Sequence, residues 1–204
     1  MRAVIISGGA VVDYDFVKSQ ICAHDTVICA DSGYDHAVKM GLEVNIVVGD
    51  LDSISTVPKD VEYVKYPTRK DLTDTEIAIT YARSRGFKNF LLLAATGTRL
   101  DHTLTNIFLL KSFLDYGENA VLVDEHNKIM LTDSHINLHE SKGSIVSLIP
   151  LNLCTSVTTM NLEYPLQNAT MQVGKGLGVS NIITSETASI TIKSGLMLII
   201  IARD

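Results

Sequence analysis

Between residues 3 and 124 the chain alternates short, continuously apolar runs with segments of helical periodicity, and this alternation strongly constrains the fold. The predicted strands are residues 3–7, 26–30, 46–48, 61–65, 90–95 and 120–124. The predicted helices are residues 14–23, 34–40, 74–85 and 101–116. Strands that are apolar along their whole length are buried on both faces, as in a parallel sheet covered by helices. We therefore predict a mostly parallel α/β domain over residues 1–132.

The pattern changes after about residue 132, and from residue 144 onward no helical period remains. Short strand-like runs separated by Asn, Pro and Gly replace it. The predicted strands are residues 144–149, 157–164, 169–173, 188–192 and 196–202, with hairpin turns at Asn168 and Gly195. We predict a second, all-β sandwich domain over residues 133–204.

Composition excludes several classes of protein. A 204-residue chain that is 46% hydrophobic can bury a sizeable core, and a net charge of −6 without a basic run disfavours nucleic acid as a partner. The three cysteines show no C-x-x-C spacing, which argues against a zinc site or a disulfide framework and fits a cytoplasmic protein. No apolar run approaches the roughly 20 residues needed to span a membrane.

Aspartates follow several of the predicted strands. Asp31 comes directly after one strand, and Asp50 and Asp52 come after the next. Ligands of open α/β sheets bind at the carboxyl ends of the strands, so these side chains are expected at one edge of the sheet. Mg²⁺ at a phosphate site is usually bound by one or two carboxylates plus oxygens of the substrate. An Asp beside a Gly is also ordinary turn chemistry, but the whole series on one side favours metal-assisted phosphate chemistry.

Two helix N-termini complete this edge. Thr73 and Glu76 fit a capping box, which is structural, yet a helix N-terminus is also an anion site and Lys70 adds positive charge beside it. The small residues 96–98 allow backbone N–H groups to approach a phosphate, and Arg99 can bind phosphate oxygens as a fork. Neither a G-x-x-x-x-G-K-[ST] nor a G-x-G-x-x-G motif is present, which argues against P-loop and dinucleotide-binding sites.

Together these segments resemble the thiamine pyrophosphokinase (thiamine diphosphokinase) family over nearly the full length. The resemblance rests on residues 30–33 (ADSG), 49–53 (GDLDS), 71–74 (DLTD), 95–102 (ATGTRLDH) and 178–181 (GVSN). It implies an N-terminal α/β nucleotide-binding domain, a C-terminal β-sandwich that binds thiamine, and a homodimer with thiamine at the subunit interface. The implied reaction transfers the diphosphoryl group of ATP to the hydroxyl of thiamine, giving thiamine diphosphate and AMP, with Mg²⁺.

The resemblance also implies roles for individual residues. The metal carboxylates would be Asp50, Asp52 and Asp74, and the catalytic residues Asp71, Asp101 and Arg99. Nucleotide binding would involve Asp31, Lys70, Thr73, Thr96, Gly97, Thr98 and Arg99. Ser180 and Asn181 would contact thiamine. Either Asp71 or Asp101 is a candidate to accept the hydroxyl proton of thiamine, and the sequence does not choose between them.

The sequence departs from the family's Gly-Ala-Thr-Gly-Gly-Arg loop at two positions, Ala94 and Thr98. Thr98 is expected to disfavour a positive φ there, whereas Ala94 is expected to end the strand harmlessly. The sequence also leaves two other functions open. One is a two-metal phosphoesterase, which usually needs more His ligands than this region has. The other is a non-catalytic thiamine- or nucleotide-binding regulator, which the intact aspartate set disfavours.

Overall fold

The computed structural model describes residues 1–49, 61–65 and 72–203. The chain divides into two compact units, Met1–Glu125 and His126–Asp204. The sequence predicts a boundary after residue 132 instead. The division comes earlier because the segment Asn127–Thr132 is a strand that pairs with Met197–Ala202 near the end of the chain. The predicted mixed α/β class is confirmed.

The first unit alternates strands and helices as predicted. Its described elements are β1 (Ala3–Ile6), α1 (Tyr14–Ser19), β2 (Thr26–Ala30), α2 (Gly33–Lys39), β3 (Ile46–Gly49), β4 (Glu62–Lys65), α3 (Asp74–Ser84), β5 (Asn89–Leu93), α4 (Leu100–Asp115) and β6 (Asn119–Val123). Among these, the strands pair in the order β4-β3-β2-β1-β5-β6, and every pair is parallel. Strand β1 lies in the middle and is wholly buried, which explains its continuous apolar run.

The helices of this unit begin and end as their sequences indicate. Thr73 and Glu76 form the predicted capping box. The Glu76 N–H donates to Thr73 Oγ1 (3.3 Å), and the Thr73 N–H donates to Glu76 Oε2 (2.8 Å). Gly86 and Gly117 follow α3 and α4 with φ of +86° and +63°, which glycine adopts at low cost. The parallel connections bring the N-termini of α2, α3 and α4 to the carboxyl ends of the strands.

A buried carboxylate joins two elements of this unit. The Glu118 side chain is only 1% exposed and accepts hydrogen bonds from Arg83 Nε (2.7 Å) and Lys88 Nζ (3.2 Å). We expect Glu118→Ala to lower the free energy of unfolding by about 2–3 kcal/mol, because it leaves a largely buried guanidinium without its anion. The exposed pair Arg85–Glu62 is the matched control, and Glu62→Ala should cost under about 1 kcal/mol in urea titrations. Equal losses for both variants would contradict this interpretation.

The second unit is antiparallel. Its described strands are β7 (Asn127–Thr132), β8 (His135–Leu138), β9 (Ile145–Pro150), β10 (Cys154–Met160), β11 (Ala169–Met171), β12 (Asn181–Ile182), β13 (Ala188–Thr191) and β14 (Met197–Ala202). They pair in the orders β12-β9-β14-β7 and β11-β10-β13-β8. Sequence reasoning missed β7, β8 and β12.

One of the two predicted hairpin turns is wrong. Gly195 lies between β13 and β14, which pair with different neighbours and so do not form a hairpin. Glycine is required there for another reason: its φ is +109°, and a Cβ would lie 2.6 Å from the Leu153 carbonyl oxygen. Asn168, with φ of +51°, does lie between the antiparallel neighbours β10 and β11. Across the described residues, no helix is long and apolar enough to cross a bilayer.

Candidate active site

A cavity of about 690 Å³ opens in the first unit where β1, β2 and β5 end and α2, α3 and α4 begin. The residues predicted for the site that line it are Asp31, Thr73, Asp74, Thr96, Gly97, Thr98, Arg99 and Asp101. Asp50, Asp52, Lys70 and Asp71 lie outside the described residues. Ser180 and Asn181 belong to the second unit. The structure therefore brings the described phosphate-site candidates to the edge at which the strands end.

Two strand ends at this cavity have a left-handed backbone. Asp31 has a φ of +46° directly after β2, and Ala94 has a φ of +50° directly after β5. An aspartate tolerates this region better than most residues, whereas for alanine it costs about 1–2 kcal/mol. Thr98 is not among the residues with positive φ, which agrees with the expectation that a threonine disfavours such a backbone. The left-handed residue of this loop is Ala94, which was expected to end the strand without cost.

The segment after β1 lies directly against the segment after β5. Gly9 N–H donates to the Ala94 carbonyl (2.7 Å), and Ala10 N–H donates to the Thr96 carbonyl (2.8 Å). A Cβ on Gly9 would lie 2.2 Å from the Thr96 carbonyl oxygen, so only glycine fits. The two loops are therefore joined by hydrogen bonds into one continuous part of the cavity wall.

Side chains of α4 and β6 position the 95–99 loop from the other side. Asn106 Nδ2 donates to the Ala95 carbonyl (2.7 Å), and Gly97 N–H donates to Thr103 Oγ1 (3.1 Å). Thr96 Oγ1 donates to Asp124 Oδ2 (2.9 Å) at the end of β6. The loop of small residues predicted from the sequence is thus held by hydrogen bonds to side chains outside the loop.

The N-terminus of α3 contributes Thr73, Asp74 and Thr75 to the wall. The Thr75 hydroxyl is buried and lies 2.9 Å from the Ser7 hydroxyl at the end of β1. This bond fixes the first turn of α3 beside β1. The partly positive helix N-terminus therefore lies beside the cavity, where it favours a negatively charged ligand.

Arg99 and Asp101 form a bidentate ion pair in this site. Arg99 Nε and Nη2 donate to the two oxygens of Asp101 at 3.2 and 2.6 Å, and both side chains are exposed. The hydrogen bonds from Arg99 lower the pKa of Asp101 to about 2. A carboxylate with so low a pKa is a weak proton acceptor near neutral pH.

The donor set fits a hard divalent cation. Within residues 1–49, 61–65 and 72–203, no three His, Cys, Asp or Glu residues form a group that by itself encloses a metal ion. Asp31 and Asp74 do line the cavity and offer carboxylate oxygens, which Mg²⁺ prefers when a phosphate supplies further ligands. Asp50 and Asp52 follow Gly49, the last residue of β3, in the sequence.

In the second unit, Asn181 is bonded through its side chain, whereas Ser180 is bonded through its backbone N–H. Asn181 is buried, and its Oδ1 accepts from the N–H groups of Tyr164 (3.0 Å) and Ile182 (2.9 Å). Its Nδ2 donates to the Tyr164 carbonyl (2.8 Å), so one amide side chain binds both backbone groups of Tyr164. Tyr164 itself is 65% exposed. Ser180 has a φ of +54°, and its N–H donates to Ser147 Oγ (3.0 Å).

Sequence reasoning missed several residues that line the cavity. They include Ser7, Gly8, Gly9, Thr75, Thr103 and Asn106. The glycine pair after the first strand was a usable signal, because two glycines at a strand end indicate close approach of another chain segment or a ligand. No comparable signal marks Asn106, which lies within a helix.

The fold and the cavity define a two-unit α/β protein with a polar site at the carboxyl ends of a parallel sheet. Two family models match this chain: the thiamin pyrophosphokinase catalytic domain over residues 17–122, and the thiamin pyrophosphokinase vitamin B1 binding domain over residues 133–197. The chain therefore belongs to the thiamin pyrophosphokinase family. The predicted enzyme class, a thiamine diphosphokinase, is confirmed.

Relatives agree in sequence and in fold. Thiamine pyrophosphokinase 1 of Oryza sativa subsp. japonica is 29% identical over 210 residues, covering 87% of this chain and 79% of the relative. Thiamine pyrophosphokinase of Bacillus subtilis is 27% identical over 191 residues, covering 89% of each. The crystal structure of the B. subtilis enzyme matches with a TM-score of 0.90 over 100% of both chains at 22% identity. The solved structure of thiamin pyrophosphokinase from Candida albicans matches with a TM-score of 0.80 over 99% of this chain and 90% of the other, at 15% identity.

Proposed function

We propose that this protein transfers the diphosphoryl group of ATP to the hydroxyl of thiamine, giving thiamine diphosphate and AMP, with Mg²⁺. One observation carries the proposal. The cavity lies where three strands end and three helices begin, and it is lined by both acidic and basic side chains. Diphosphoryl transfer depends more on positioning and charge neutralisation than on covalent help from the protein. The cavity wall offers both positioning groups and charged side chains.

The phosphates of ATP bind along the 96–98 loop and the N-terminus of α3, with Arg99 adding a guanidinium. Asp31 and Thr73, which also line the cavity, orient the nucleotide, and Lys70 adds positive charge. Asp50, Asp52 and Asp74 bind Mg²⁺. When bound, Mg²⁺ neutralises charge on the phosphate oxygens.

Of the two candidates for the proton acceptor, we propose Asp71. Asp101 is bonded through both oxygens to Arg99, and its pKa of about 2 makes it a poor base. Its role is instead to orient the Arg99 guanidinium before ATP binds. Asp71 then accepts the hydroxyl proton as the oxygen bonds to the β-phosphorus, and the bond between that phosphorus and the AMP oxygen breaks to release AMP.

Thiamine binds to the second unit of one subunit, beside the phosphate cavity of its partner in a homodimer. Ser180 contacts thiamine directly, whereas Asn181 acts by fixing the backbone of Tyr164. An exposed aromatic ring on a fixed backbone suits stacking on a flat, cationic heterocycle.

The first unit also has a surface suited to a partner subunit. Leu100, Leu104 and Phe108 lie one turn apart on α4 and are 65%, 42% and 53% exposed. Such an apolar stripe beside Arg99 supports a homodimer whose interface reaches the cavity. The cytoplasmic location is part of the proposal and is supported by three free cysteines.

Incubation of the protein with thiamine, ATP and Mg²⁺ tests this function. AMP should form only when thiamine is present. A metal phosphoesterase would release phosphate without thiamine, and a non-catalytic regulator would release neither product. Either of these results would overturn the proposal.

Arg99→Lys should not behave as a conservative change. The guanidinium makes two parallel bonds to phosphate oxygens, whereas an ammonium is a point charge, so we expect kcat/KM for ATP to fall about 10- to 100-fold. Arg85→Lys, in the exposed pair with Glu62, is the matched control and should leave the kinetics unchanged. Full activity of the Arg99 variant would exclude Arg99 from the phosphate site.

A further inference from the structure

Behind the cavity wall, a histidine joins two helices to the loop after β1. His36 lies on α2, is half-buried, and its Nε2 lies 2.8 Å from the Gly9 carbonyl oxygen. Its Nδ1 lies 2.9 Å from the hydroxyl of Tyr14 on α1. A carbonyl oxygen only accepts, so Nε2 carries the proton and donates to Gly9. In the neutral ring, Nδ1 then accepts from the Tyr14 hydroxyl.

The surroundings favour the neutral ring. Burial lowers the pKa of His36 below its ordinary value, and the nearby charge of Lys39 lowers it further. The bond to Gly9 and the charge of Asp35 raise the pKa but do not reverse the shift. Near neutral pH the imidazole therefore has a single N–H group, and that group is bonded to Gly9.

The position of Gly9 matters because the loop after β1 has very little free space. A Cβ on Gly8 would lie 2.0 Å from Ser32 Oγ, and a Cβ on Gly9 would lie 2.4 Å from the Ala94 carbonyl oxygen. Both glycines line the cavity. A small displacement of this loop would also displace the segment after β5, because Gly9 and Ala10 donate to Ala94 and Thr96.

We propose that His36 is a positioning residue for the nucleotide: its bond to the Gly9 carbonyl, oriented by Tyr14, sets the loop after β1 against the phosphate-binding loop after β5. This inference rests on the proposed function only for the identity of the ligand. His36 itself does not line the cavity, so it acts through Gly9.

Three variants test the proposal. His36→Leu keeps apolar volume but removes the donor, and we expect KM for ATP to rise about three- to ten-fold with kcat changed less than two-fold. His36→Gln places an amide N–H near the same point and should restore KM to within about two-fold of the parent. Tyr14→Phe removes only the partner of Nδ1 and should give an intermediate KM. His24→Leu, at an exposed histidine of the same unit, is the matched control.

Amide hydrogen exchange of Gly9 and Ala10, measured without nucleotide, provides a readout that does not depend on the reaction. Exchange should quicken at least five-fold in His36→Leu and return toward the parent rate in His36→Gln. Unchanged exchange and KM in the Leu variant, or equal defects in the Leu and Gln variants, would overturn the role of His36. If the parent formed no AMP, the proposed function would fail, and the exchange rates would still decide whether His36 holds Gly9.

Discussion

Asp52→Asn is expected to lower turnover at saturating ATP by about 100- to 1,000-fold while leaving the melting temperature within a few degrees of the parent. The change keeps the shape of the side chain and removes one charge from the proposed Mg²⁺ site. Stabilisation of the transferring phosphoryl oxygens by a metal is worth several kcal/mol. Asp50→Asn should behave in the same way. The motivation is the D-x-D spacing that follows β3, whose last residue, Gly49, lies against Asp31.

A metal titration separates this explanation from a general loss of structure. If Asp52 binds Mg²⁺, the variant should need a much higher Mg²⁺ concentration for half-maximal rate. Asp133→Asn, at an exposed aspartate of the second unit, is the matched control and should leave the Mg²⁺ requirement unchanged. Turnover of the Asp52 variant within a few-fold of the parent would remove this residue from the metal site.

At low thiamine, mixed dimers should be more active than either variant alone. Tyr164→Ala is expected to raise KM for thiamine about ten-fold or more by removing a stacking ring, and it should change KM for ATP much less. When Tyr164→Ala subunits are mixed with Asp52→Asn subunits, one composite site of each heterodimer carries both lesions and the other carries none. At low thiamine, random mixing should therefore restore about a quarter of the parent activity, because half of the dimers have one intact site.

Tyr164 is a better choice for this experiment than Asn181. Asn181→Ala would remove three hydrogen bonds of a buried amide and destabilise the second unit as well as thiamine binding. Ser180→Ala is the companion variant, since it removes only a hydroxyl and should raise KM for thiamine without affecting stability. Absence of recovery in a mixture shown by native mass spectrometry to contain heterodimers would contradict the shared site.

The parallel sheet was predictable because burial on both faces leaves a strong signal. Strand β1 is wholly buried and reads as an unbroken apolar run, and β5 is nearly so. Strands β7 and β8 were missed because each is only partly buried and includes polar residues such as Lys128 and His135. Their pairing with β14 and β13, far along the chain, is what makes them strands.

Part of the composition of the candidate site was predictable, but its internal bonding was not. Aspartates at strand ends and the capping box at Thr73 follow from local sequence rules. The bidentate ion pair of Arg99 and Asp101, which argues against Asp101 as a base, depends on side-chain rotamers that sequence does not specify. The backbone at Ala94 and the amide of Asn181 likewise depend on distant segments of the chain.

Labelled phosphorus from ATP, followed into the product, tests directly whether the diphosphoryl group is transferred intact. Two reactions are run with thiamine, one with ATP radiolabelled at the β-phosphorus and one with ATP radiolabelled at the γ-phosphorus. We expect both labels to appear in thiamine diphosphate and unlabelled AMP to form in equal amount. Transfer of the γ label alone, with ADP and thiamine monophosphate as products, would contradict this expectation.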